Sequence, residues 1–100
     1  MTEYQELSAI KKSLMNKINQ HSNEEDLLIT VQVEEYEFGF DTVVMLFDSS
    51  EALLLDETYT ENHQSESHAI TKANELHACI SLWTEDENVY LYEKIKEVSF

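Results

Sequence analysis

Tyr4, Leu7, Ile10, Leu14 and Ile18 recur at steps of three and four residues, which places them on one face of a helix. Thr2 stands at an N-cap position, Glu3 and Glu6 fall in the first turn, and Lys17 lies near the last. Each suits the helix dipole at its end. Asn19 to Asn23 breaks the pattern, so a helix is expected over residues 3–20. The period then shortens to two: Ile29, Val31 and Val33 alternate with Thr30 and Gln32, the signature of a strand beginning at Leu27. The apolar parity changes further on, where Tyr36, Phe38 and Phe40 interleave with Glu35 and Glu37. A bulge or bend near Glu34-Glu35 would account for the switch. Gly39 marks a turn or a second bulge, and the almost wholly apolar Thr42–Phe47 reads as a central strand.

The following segment has two readings. Leu53, Leu55, Glu57 and Tyr59 can line one face of a strand, whereas the Asp48/Glu51 spacing suits a cap before a helical Ala52–Leu55. The strand is favoured, giving an antiparallel meander over roughly residues 27–60. Glu61–Ser67 is expected as a polar loop, with Ser65 or Ser67 capping a second helix. Ala69, Ala73, Leu76, Ile80 and Trp83 lie on one face of that helix. A competing reading ends it near His77 and makes Cys79–Trp83 a strand. Val89–Ile95 is expected as the last strand, with Tyr90 and Tyr92 on the face opposite Val89 and Leu91. The order α-β-β-β-α-β describes one α+β domain over residues 1–100. It has two layers: an antiparallel sheet of about four strands, packed by an N-terminal and a second helix.

Composition supports a folded chain, since 42% apolar and 10% aromatic residues exceed what disordered acidic tails carry. No apolar run approaches a membrane span of about 18 residues, and the start of the chain lacks a basic segment followed by an apolar one. The lone Cys79 has no partner for an internal disulfide. A cytoplasmic location is the expectation.

Charge changes the picture more. Six lysines stand against 21 acidic residues, for a net charge of −15 and no arginine. Residues 1–23 carry +1, residues 24–61 carry −12 with no lysine, and residues 62–100 carry −4. Ordinary soluble surfaces intersperse both signs. Direct binding to nucleic acid or to an anionic membrane is disfavoured, because phosphates would be repelled.

Catalytic and metal-binding patterns are weak. His63 and His68 have the spacing of half a zinc site without a first ligand pair, and no calcium-loop spacing occurs. Cys79 has no nearby base to activate it. There is no nucleophile elbow, and one glycine cannot build a phosphate-binding loop. No cofactor, metal or enzymatic activity is expected.

The carboxylates carry the functional expectation. Glu35 and Glu37 are expected about 6.6 Å apart on one strand face, close to the spacing of neighbouring phosphates. Such rows present a nucleic-acid-like potential to a basic groove. In size and charge the chain resembles the broad class of phage and mobile-element counter-defence proteins, which includes DNA-mimic anti-restriction and anti-CRISPR proteins. The resemblance implies a non-catalytic inhibitor that blocks the nucleic-acid site of a basic protein. The expected contact set is Glu24, Glu25, Asp26, Glu34, Glu35, Glu37, Asp41, Asp56, Glu57 and Glu61. Two further readings share the same sequence. One is an immunity protein neutralising a cognate toxin. The other is a small adaptor, monomeric or dimerising through the Leu7/Ile10/Leu14/Ile18 stripe.

Overall fold

A computed structural model describes residues 3–21, 26–48 and 53–100. Helix α1 (Glu3–Gln20) is followed by strands β1 (Leu27–Tyr36), β2 (Gly39–Asp48) and β3 (Leu54–His63). Then come helix α2 (Glu66–Leu82), a π-helical turn (Trp83–Glu87), a short helix α3 (Val89–Lys94) and strand β4 (Ile95–Ser99). The sheet order is β3-β2-β1-β4. The first three strands form the expected antiparallel meander, and β4 joins β1 in parallel, so the sheet is mixed. The proposed caps at Thr2 and Glu51, the side chain of Tyr4, and Glu24 and Glu25 lie outside the described residues.

Both long helices bury the faces their spacing predicts. Ile10, Leu14 and Ile18 of α1 meet Ala73, Leu76 and Ile80 of α2 in one core. The sheet supplies Leu27, Ile29 and Val31 from β1 and Val44 and Leu46 from β2. Register pairs Ile29 with Leu46 and Val31 with Val44, so all of these point to one side of the sheet. Leu91 and Ile95 close the same core. Thr42 lies on this side too, fully buried, and its Oγ1 donates to the Ala69 carbonyl of α2 at 2.9 Å. Hence α1, α2 and α3 share one layer. The α1 stripe is therefore occupied inside its own core and is no free seam.

The other side of the sheet carries no helix among the described residues. The shortest dimension of the molecule is 18 Å, enough for a sheet and one helical layer. Leu28, Thr30, Val43 and Met45 form its centre.

Three local expectations need correction. No bulge interrupts β1 at Glu34-Glu35, since its pairing with β2 runs without a shift from Leu27↔Asp48 to Tyr36↔Gly39. The parity changes because Tyr36 lies on the helix-free side and Phe38 leaves the strand in a two-residue turn. The irregularities fall instead in the β2–β3 pairing, between Val44 and Met45 and between Leu46 and Phe47, and in the β1–β4 pairing between Leu27 and Leu28. Strand β3 extends through His63, which pairs with Phe40, so the polar loop is shorter than its composition suggested. The helical reading holds for Cys79–Leu82, and Trp83 begins the π-helical turn. Finally, Val89–Lys94 is helix and only Ile95 begins a strand. Asn88 decides this locally: its side chain accepts from the Leu91 N–H at 3.1 Å, the bond of an N-cap.

Candidate protein-docking face

The β1–β2 hairpin sets the geometry. Tyr36 pairs with Gly39 and leaves Glu37 and Phe38 as the turn. Gly39 has φ +152°, and a Cβ there would come within 2.7 Å of the His63 carbonyl oxygen of β3. Only glycine fits this close approach of the two strands. The turn is thus fixed from both flanks, and it holds Phe38 out at 86% exposure. Tyr36, beside it, is 53% exposed.

On the helix-free side, Glu34 lies directly opposite Asp41. Two like charges about 5 Å apart at Cβ destabilise a strand pair. Polar neighbours soften the conflict without neutralising it. The Tyr36 hydroxyl donates to Glu34, and Asn62 Nδ2 donates to Asp41 at 2.8 Å. Glu57, paired with Met45, adds a third carboxylate to this side and accepts from Thr60. The Tyr36 phenol senses all three: the hydrogen bond to Glu34 leads, and the charges of Glu34, Asp41 and Glu57 add to it, pushing the phenol up to about 12. Among the described residues no ion pair reaches Glu34, Glu35, Glu37, Asp41 or Glu57.

The remaining members of the expected set are placed elsewhere. Glu35 pairs with Phe40 and points to the helix side, beyond the helices, where it is exposed. Glu37 is in the turn, so these two do not line one strand face as expected; the strand ends one residue too early. Asp56 meets Lys17 of α1 at 3.7 Å, and Asp26 meets Lys96 at 4.0 Å. Glu61 belongs to a different cluster under the helices. There the Tyr59 hydroxyl lies in hydrogen-bond contact with both Glu6 and Glu61. Lys72 Nζ sits 2.9 Å from Glu6 and 3.9 Å from Glu61, with His63 Nε2 a further 3.9 Å from Glu61. Hydrogen bonds from Tyr59 and Lys72 hold Glu6 below the usual carboxylate range, while burial and its hydrogen bonds to Glu6 and Glu61 push the Tyr59 phenol up. This cluster ties α1, β3 and α2 together.

One carboxylate of the helix-free side was not anticipated. Glu97 of β4 pairs with Leu28 and so falls on that side, at its far end from the hairpin. Each of the four strands thereby contributes one carboxylate to it. Only the parallel β1–β4 pairing reveals this, and no local pattern encodes that pairing.

Elsewhere, a cleft of about 240 Å³ lies between α1 and the π-helical turn, with Lys11 Nζ 5.7 Å from the Trp83 ring centroid and 3.5 Å from Glu87. Cys79 is partly buried against the core. Among the described residues, no three metal-binding side chains come together, and no helix is long and apolar enough to cross a membrane. The fold defines an α+β class with a mixed four-stranded sheet. No family model, curated protein or solved structure matches the chain.

Proposed function

We propose that this chain is a non-catalytic acidic inhibitor of phage or mobile-element counter-defence type, such as an anti-CRISPR or anti-restriction protein. It docks on a basic nucleic-acid-binding protein and fills that protein's nucleic-acid site. One observation carries the reading: the helix-free side of the sheet sets Glu34 directly opposite Asp41, beside exposed Tyr36 and Phe38. Glu57 is paired with Met45, four residues further along β2, and lies within electrostatic reach of Tyr36; among the described residues no ion pair compensates the three carboxylates. Carboxylates left unpaired in this way are poor for stability and well suited to long-range attraction of a cationic groove. The exposed rings supply the aromatic anchors that charge alone lacks.

The test is affinity capture from nuclease-treated bacterial lysate with the tagged chain, beside the triple variant Glu34→Lys, Asp41→Lys, Glu57→Lys. The expected result is a nucleic-acid-binding protein retained by the wild type, displaced by added DNA and absent from the variant. Washing at 0.5 M salt, where the Debye length shrinks to about 4 Å, should release part of it. Equal retention by both forms would refute the assignment of this face. A single toxin held through the salt wash would instead favour an immunity protein.

A further inference from the structure

Resting on that reading, we infer that the partner's groove is one that binds single-stranded nucleic acid, with the hairpin tip taking the place of unstacked bases. Carboxylates alone do not choose between a duplex groove and a single-strand groove; the two rings do. Along Glu35-Tyr36-Glu37-Phe38, acid and ring alternate one for one. Tyr36 and Phe38 are 53% and 86% exposed, and neither stacks on another aromatic ring among the described residues. Phe38 lies outside the hydrophobic core.

A protein-bound single strand presents the same alternation, phosphate then splayed base. Grooves that hold it combine cations with aromatic platforms on which bases stack. Duplex-reading grooves address phosphates and base edges, and give an inserted ring no platform. The hairpin is also well prepared to act as a wedge. Gly39 packs against the β3 backbone and fixes the turn, so presenting Phe38 costs little ordering entropy on binding.

The probe is the tripeptide Lys-Trp-Lys, which carries both cation and stacking ring, compared with Lys-Ala-Lys. Each is titrated into the isotope-labelled chain and followed by amide chemical shifts. The expected result is that Lys-Trp-Lys binds about fivefold more tightly, the lower end of what one stacked ring contributes. Its largest shifts should fall on residues 35–40. Phe38→Ala should abolish the preference, Phe38→Tyr should keep it, and neither should alter the fold, since the side chain is exposed. If both peptides bind this face equally and Phe38→Ala changes nothing, the single-strand inference fails while docking through the acidic face stands. If neither peptide prefers this face to the other surface carboxylates, the docking reading falls with it.

Discussion

Two tyrosines of this sheet each sit between carboxylates, on opposite sides of it, and they are treated in opposite ways. Under the helices, Tyr59 contacts Glu6 and Glu61, and Lys72 is placed against both acids. On the bare side, Tyr36 bonds to Glu34 with Asp41 across the strand and Glu57 within electrostatic reach, and no lysine is supplied. The chain therefore has the means to compensate a carboxylate cluster, and uses it where three elements must hold together. Asp56 makes the same point, since its partner Lys17 also comes from α1. On the helix-free side, Glu34, Asp41 and Glu57 are left without such a lysine at the rim of a centre that is itself buried.

That contrast can be broken first at the covered side. Leu46→Ala removes a fully buried side chain from the core beneath α1 and α2. The expected loss is about 3 kcal/mol by denaturant unfolding. Next comes Lys72→Met, which withdraws the cation from Glu6 and Glu61. Its side chain is largely buried, and a loss of about 2 kcal/mol is expected, with part of the acid sensitivity removed.

The pH dependence has a definite sign. The folded-state pKa of Glu6 is lowered from 4.5, so its stabilising contribution is complete above that value and is lost as pH falls through the lowered one. The phenol of Tyr59 is raised from 10.0, so its contribution is complete below that value and is lost as pH rises beyond it. Acid unfolding curves of Glu6→Gln should therefore be flatter than wild type below pH 4.5.

Gly39→Ala drives a Cβ towards the His63 carbonyl and should cost about 1–2 kcal/mol while loosening the hairpin. The smallest effect is spectroscopic. Glu34→Gln should bring the Tyr36 phenol down from about 12 towards 10.0, read by its ring carbon resonance against pH.

Much of this was legible along the chain. The apolar faces of α1 and α2 emerged because a 3.6-residue period, repeated over four turns, leaves little ambiguity about what is buried. The meander was legible for a similar reason, since β-branched alternation and one glycine mark its strands and first turn. Val89–Tyr92 misled because its alternation is strand-like, and one capping bond from Asn88 outweighs it. The site was only half legible. Glu34 and Asp41 meet, and Glu57 shares their side of the sheet, because register places them there, whereas Asp56 and Glu61 are drawn off by lysines from helices distant in sequence. Glu97 was out of reach, because the β1–β4 pairing joins the two ends of the fold.

The most direct measurement is the urea unfolding midpoint, at low salt, of the variant Glu34→Gln, Asp41→Asn, Glu57→Gln. Charge kept for docking and not for folding should make this variant more stable than wild type by up to about 1 kcal/mol, through relief of like-charge pairing. Added salt should narrow the difference by screening the wild type. A lower midpoint for the variant would mean that the fold depends on these carboxylates, and the division between the two sides of the sheet would be wrong.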